Sequence, residues 1–392
     1  MSDPIPIART ALDPRQTLRV HGLDLSYFTG KLEANLRIKG LRYELVEMDT
    51  RSFRTLGKRM GIAQMPHLEL PDGQLLTDTT HILRWLDEQV PAPALRASDP
   101  ALCWIGDLLE DFGDEWLWRP ALYYRWAFSA DARLMSDRIA QGMLRDIPAP
   151  VALRRTFIRL RQQYVYLRLE GVTRQNERAI EGLYLDTLAA LEAVLGEQPF
   201  LLGEHPSQAD LGFFGPFFRH FSSDPTPSRI LRARAPAVMH WVARMWDHRS
   251  NDAIQTTNPV KSKQGLPDGL GPLLRLVCLD YLPYLDGNEE HWLKGQRWHR
   301  WRNRGAEFRT PVNPYRVWCW QTLRRGFQQL PVSDRHRVLT WLAEACGSDL
   351  KRMVEPLLNG IVPDQGITEL TPWQQRPSIG AHPILDRQWR AT

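Results

Sequence analysis

Strand-length apolar runs alternate with helical stripes through about the first 90 residues of this 392-residue chain, and then the strand runs stop. That switch constrains the fold most, because strands repeat every two residues and helices about every 3.6. Leu18–Gly22 reads as a buried strand. In Lys31–Lys39, Leu32 and Leu36 share one helical face, and Gly40 suits the left-handed residue that ends a helix. Arg42–Met48 alternates as a second strand. His67–Leu70 and Gln74–Thr77 flank Pro71-Asp72-Gly73, whose residues favour a tight turn. Ile82, Leu83, Trp85 and Leu86 then fall at helical spacing, ending before Pro91. The order is β-α-β-(α)-β-β-α, which fits a thioredoxin-like layout in which helices cover a small sheet.

From Pro100 to about Asn251 the pattern is helical throughout. Ile180, Tyr184, Leu188, Leu191 and Leu195 form one apolar stripe that Gly196 is expected to close. "PSQADLGFFGPFFRHF" opens with Ser207-x-x-Asp210, a capping box with Asp in place of the usual Glu. Residues 252–271 are polar and rich in turn formers, as a linker would be. Beyond them, helices are expected near Leu273–Tyr284, Tyr315–Gln329, Asp334–Cys346 and Leu350–Leu358, with an irregular tail from Ile361. The expected fold class is therefore an α+β domain at 17–92, an all-α domain at 99–251, and a mostly helical extension at 272–392.

Fifty basic and 45 acidic residues give a net charge of only +5, which is no strong argument for a nucleic-acid partner, and none is expected. No apolar run reaches the roughly 18 residues of a membrane span, and no membrane partner is expected. The start has neither the charged nor the apolar region of a secretory signal. Cys103, Cys278, Cys319 and Cys346 have no metal-ligand spacing; no metal is expected, and a reduced, cytoplasmic protein is the simple reading.

Ser26 follows the first strand and stands just before the first helix. A serine there is a natural helix N-cap. It also stands where a hydroxyl and a helix dipole converge on an anion. Three further motifs follow in order: "QMPHLEL", "LLTDTTHILRWL" and "PFLLGEHPSQADLGFFGPF". Together with "KLEANLRIKGLRYE" after Ser26, they resemble the cytosolic glutathione transferase superfamily over roughly residues 17 to 250.

The resemblance implies that glutathione is the co-substrate and that the reaction is attack by its thiolate on an electrophilic, mainly hydrophobic substrate, as in detoxification. Ser26 would donate a hydrogen bond to the thiolate, with Tyr27 as a fallback donor. Met65 would hold the cysteinyl part through its main chain, next to a cis Pro66, and Gln64 would contact the glycyl end. Asp78 and Thr79, in place of the family's usual Glu-Ser, would hold the γ-glutamyl end. Serine forms no mixed disulfide, so transfer or peroxide reduction is favoured over disulfide exchange. Trp116, Tyr123 and Tyr124 are candidates for an apolar acceptor pocket, and equally for the core of a helical bundle. A homodimer is implied by the resemblance alone.

"HWLKGQRWHRWRNRG" interleaves Lys294, Arg297, Arg300, Arg302 and Arg304 with Trp292, Trp298 and Trp301. Such a run can bind single-stranded nucleic acid, but it also fits a solvated face over packed tryptophans. His291 and His299 lack a partnered ligand set. The rival to an enzyme is a binding protein that has kept the fold and lost or repurposed the pocket.

Overall fold

The computed structural model describes residues 12–249 and 265–347, together with Leu357. The expected helix at Leu350–Leu358 apart from Leu357, the tail, most of the leader and most of the 252–271 segment lie outside the described residues.

The amino-terminal unit runs β1 (Leu18–Gly22), α1 (Tyr27–Ile38), β2 (Tyr43–Glu47), α2 (Thr50–Met60), β3 (His67–Glu69), β4 (Leu75–Thr77) and α3 (Thr79–Gln89). The sheet order is β2-β1-β3-β4, with β1 and β2 parallel and the other pairs antiparallel. This is the thioredoxin-like arrangement. Gly40 is left-handed at φ 66°, as its position after α1 requires, and Gly73 turns the β3–β4 hairpin at φ 82°. Leu18, Val20, Leu32, Leu36 and Leu68 are fully buried between sheet and helices.

The helical part comprises α4 (Pro100–Asp111), α5 (Trp118–Ala127), α6 (Ser129–Gln141), α7 (Val151–Arg161), α8 (Leu167–Leu169), α9 (Glu177–Glu197), α10 (Gln208–Pro216), α11 (Pro225–Arg234) and α12 (Pro236–Asp247). Single π turns join α4 to α5 at Phe112–Trp116 and α7 to α8 at Gln162–Tyr166. The stripe expected on α9 is buried along its whole length, although Gly196 lies inside the helix rather than past its end. The Ser207/Asp210 capping box is complete. Its carboxylate also takes the Leu201 amide and the Trp241 indole N–H, both at 2.9 Å, so one buried acid ties three segments together.

The last part holds α13 (Gly271–Leu276), α14 (Leu282–Leu293), β5 (Trp298–Asn303), β6 (Ala306–Pro311), α15 (Pro314–Gln329) and α16 (Val332–Cys346). A strand pair, not expected in a mostly helical extension, carries the basic, Trp-rich run. β5 pairs antiparallel with β6, and its two-residue turn, Arg304-Gly305, has positive φ at both positions. That geometry matches strand twist but is usually signalled by Asn-Gly or Asp-Gly, so the sequence hid it. Alternation puts Trp301 inside, stacked 4.3 Å from Phe308, while Trp298, Arg300 and Arg302 face water.

This part shares its apolar core with the rest of the chain: Leu273, Tyr281, Trp320 and Leu342 belong to the same buried cluster as Val20 and Leu108. The Trp104 indole N–H donates to the Leu323 carbonyl at 2.9 Å. Arg316 is buried to 3% exposure and reaches several segments at once. It donates to the Glu115 carboxylate and carbonyl, the Glu170 carboxylate and the Tyr284 hydroxyl. Burial opposes its charge, and these partners outweigh the penalty. Among the described residues no helix is long and apolar enough to cross a membrane.

Candidate functional site

The sheet register gathers the predicted site residues. His21 of β1 lies opposite His67 of β3, and His67 lies opposite Thr77 of β4. The carboxyl end of β1, the amino end of β3 and the carboxyl end of β4 therefore form one end of the sheet. The Ser26 loop, Met65-Pro66 and Asp78-Thr79 all emerge from it.

Ser26 is the N-cap of α1; its hydroxyl oxygen accepts the Thr29 amide at 3.3 Å. Accepting that bond leaves its own proton to donate. It is partly exposed. The loop carrying it is pinned from behind, since the buried Arg125 guanidinium donates to the Leu25 carbonyl at 3.1 Å and grips both oxygens of Asp224. A second tie comes from the side, where Arg138 of α6 meets Asp24 at 2.6 Å.

Tyr27 takes a different place from its neighbour. It is 1% exposed, and its hydroxyl donates to the Gly113 carbonyl of the π turn. Burial and the nearby Asp114 and Glu115 push its pKa well above the ordinary phenol value. A hydroxyl so placed faces the protein interior, which corrects its candidacy as a thiolate donor.

The aromatic candidates are corrected as well. Trp116, Tyr123 and Tyr124 are all nearly inaccessible. Trp116 packs against Tyr281, Tyr284 and Trp301 of the last part of the chain, at 5.1–5.5 Å between ring centres. Tyr123 donates to Glu181 at 2.7 Å, and Tyr124 stacks on Phe128. They are core residues. The partly exposed aromatics near Ser26 are Phe28, two residues further on, and Trp118, whose ring lies 6.2 Å from that of Phe28.

The Met65–Pro66 peptide is cis, and Met65 stands just outside the β3 ladder. The Gln64 amide donates to the Thr77 hydroxyl at 2.8 Å, joining the segments before β3 and at the end of β4. Asp78 has φ 71°, a left-handed conformation in a non-glycine residue. Its carboxylate caps α3 by accepting the Thr80 amide at 3.1 Å. It also accepts the Tyr315 hydroxyl at 3.4 Å, so the amino end of α15 lies over this corner. Asp78 and Thr79 are consequently about as buried as the core. Trp318, one turn along α15, packs 5.5 Å from His81. The sequence held no sign of this cover, because it depends on a contact between residues far apart in the chain.

Charge is buried beneath the site. The Lys31 ammonium, fully inaccessible, meets Glu110 at 2.6 Å and Asp114 at 2.5 Å. Burial alone would lower its pKa, but the Asp114 and Glu110 carboxylates raise it above the ordinary lysine value. Nearby, burial lifts Asp111 to about 7, although the Tyr281 hydroxyl donates to it at 2.6 Å. His67, under the sheet end, is pushed down to about 4 by burial and by His21.

One more element frames the site. The turn after α6 reaches the start of α2, where the Asp146 carboxylate accepts the Thr50 and Arg51 amides and the Thr50 hydroxyl at 2.7–3.2 Å. Arg145 donates to the Glu47 and Met48 carbonyls. Together with Arg138–Asp24, these bonds hold the α6–α7 pair against the edge of the Ser26 region.

Residues 20–94 match the family model of the glutathione S-transferase N-terminal domain, and residues 174–244 match that of the C-terminal domain. No curated protein matches the chain. Among solved structures, the beta-etherase LigF from Sphingobium sp. strain SYK-6 is 21% identical; the match covers 60% of this chain and 97% of that one, with a TM-score of 0.44. A glutathione S-transferase from Rhodospirillum rubrum F11 is 19% identical over 62% of this chain and 94% of its own, with a TM-score of 0.40. One from Methylobacterium radiotolerans, in complex with glutathione sulfonate, is 21% identical over 63% and 99%, with a TM-score of 0.35.

Proposed function

Because the chain belongs to the glutathione transferase superfamily, we propose that it binds glutathione at the sheet end described above and transfers it to an electrophilic, mainly hydrophobic substrate. The observation that carries this reading is the convergence of Ser26, Met65-Pro66 and Asp78-Thr79 at that end. Ser26 would donate its hydroxyl proton to the glutathione sulfur, and the amino end of α1 would add favourable potential, lowering the thiol pKa from its usual ~8.5. The thiolate then attacks an electrophilic carbon, a C–S bond forms, and the leaving group departs with its electron pair. The Met65 main chain would pair with the cysteinyl unit in the manner of an added strand. Gln64 would reach the glycyl end, and Asp78 with Thr79 the γ-glutamyl end. Phe28 and Trp118 would offer the acceptor an apolar wall in place of the buried Trp116, Tyr123 and Tyr124.

The test is conjugation of glutathione to chlorodinitrobenzene by the wild type and Ser26→Ala. Loss of one aimed donor is expected to lower kcat by about 10²-fold, with a small change in the KM for glutathione. An unchanged kcat removes Ser26 from that role.

One observation favours a second reading, a binding protein without transferase chemistry. The Tyr315–Asp78 bond already occupies the corner where the γ-glutamyl group would dock. Retention of the protein on a glutathione matrix, with elution by free glutathione, supports the first reading. Absence of both retention and conjugation supports the second.

A further inference from the structure

Six of the ten large apolar side chains exposed among the described residues lie on the α6–α7 pair and the π turn that continues α7: Leu134, Val151, Leu153, Phe157 and Leu160 on the pair, and Tyr164 on the turn. Four of them, Leu153, Phe157, Leu160 and Tyr164, are spaced by four, three and four residues. That spacing draws one stripe along a helix. They are 62%, 53%, 44% and 58% exposed, whereas Ile158 on another face of α7 is 4% exposed and packs inward. A helix that buries only Ile158 and presents an aligned apolar stripe to water has that stripe left to cover.

The charge on the stripe's own segment is one-sided. Residues 151–169 contain Arg154, Arg155, Arg159, Arg161 and Arg168 and no acidic residue. The segment's excess of five positive charges equals that of the whole chain, so the near-balanced overall composition conceals a strongly basic patch. Arg159 and Arg168 are exposed, and Arg168 lies 5.6 Å over the Tyr164 ring of the stripe itself. Arg155 is exposed too, with one contact to Asp137 at 3.5 Å.

We infer that this face docks on an anionic lipid surface, with the stripe entering the headgroup boundary and the arginines meeting lipid phosphates. Exposed apolar residues in line, on a segment that carries arginines and no acid of its own, are what an interfacial helix needs; Asp137 of α6 offsets Arg155 alone. The alternatives lack the charge. A second copy meeting the same face about a two-fold axis would set the exposed Arg155, Arg159 and Arg168 against the same three. The chain's own segments outside the described residues offer no negative excess either. Residues 348–392 contain five acidic and five basic residues, residues 1–11 one of each, and residues 250–264 one acid and two lysines. This contact lies along the surface and needs no membrane span, so the lack of a spanning helix does not bear on it. It is independent of the transferase reading.

The test is flotation of the full-length protein with vesicles of phosphatidylcholine alone, or with about a third phosphatidylglycerol, at low salt and at about 0.5 M salt. The wild type is expected to float with the anionic vesicles at low salt only. Two double variants on exposed positions, Phe157→Ser with Leu160→Ser and Arg159→Glu with Arg168→Glu, are each expected to lower the floated fraction about tenfold while keeping the wild-type circular dichroism spectrum. Failure of the wild type to float, equal flotation with both vesicle types, or unchanged flotation of both variants overturns the inference. So does a wild-type dimer that the serine variant converts to monomer in the absence of lipid, which would make the face a contact between copies. A fall in flotation with intact glutathione conjugation separates this surface from the Ser26 site.

Discussion

Tyr315 donates its hydroxyl to Asp78 across 237 positions of sequence, and that one bond couples the last part of the chain to the proposed glutathione corner. An incoming ammonium must share the carboxylate with Tyr315 or displace it. Tyr315→Phe keeps the ring and removes the competitor. Glutathione is expected to bind about fivefold tighter to this variant, the worth of one ordinary hydrogen bond. Titration calorimetry gives the answer, and weaker binding would mean that Tyr315 helps to hold the ligand.

Ser26 caps a helix and is also proposed to act in chemistry, and one substitution separates these roles. Aspartate caps as well as serine but offers a charged acceptor where the thiolate needs a donor. Ser26→Asp is expected to melt within about 2 °C of the wild type. Its rate of glutathione conjugation should fall at least ~10²-fold. Retained conjugation would reduce Ser26 to a structural cap.

Lys31 neutralises two interior carboxylates. Lys31→Met keeps much of the length and removes the charge, leaving Glu110 and Asp114 buried together. The expected loss is about 3–5 kcal/mol of unfolding free energy, read by urea denaturation. Adding Asp114→Asn to Lys31→Met should recover part of it, because one of the stranded charges is then gone.

His67 sets an acid limit on stability. Its folded pKa is depressed from 6.5 to about 4, chiefly by burial, so the unfolded chain binds the proton more readily. Its contribution is fully present above about pH 6.5 and is lost progressively as the pH falls toward 4. The urea midpoint of the wild type should drop across that window. His67→Leu, which cannot titrate, should drop less. An identical decline in both proteins would assign the acid sensitivity to other groups.

How far the sequence foretold this molecule depends on the range of the interaction concerned. The β1–α1–β2 unit was legible because alternation, the Leu32/Leu36 spacing and Gly40 are local properties of the chain. The Ser207/Asp210 capping box was legible for the same reason. The β5–β6 hairpin was missed because Arg304-Gly305 adopts a turn more often marked by asparagine or aspartate. Trp116, Tyr123 and Tyr124 drew attention as aromatics, but composition cannot say which side of a helix will be covered. Trp116 is covered by residues 281–301, far along the chain, and Tyr123 and Tyr124 pack against Phe128 and α9. For the site, register explains why three separate motifs meet at one sheet end. The placement of Tyr315 over Asp78, by contrast, had no local signature.

Arg316 has a consequence for how the chain is made. Glu115, nearly buried in the finished molecule, leaves the ribosome long before the Arg316 guanidinium that pairs with it, whereas the half-buried Glu170 also has the earlier Arg119 at 3.8 Å. Until α15 has emerged, the Glu115 carboxylate lacks that partner, and the π turn bearing it is expected to stay open to water. Nascent chains stalled just after residue 250 are therefore expected to be cut readily by protease around residue 115, and full-length chains to resist. Synthesis of the last third would then be the step that completes the first two.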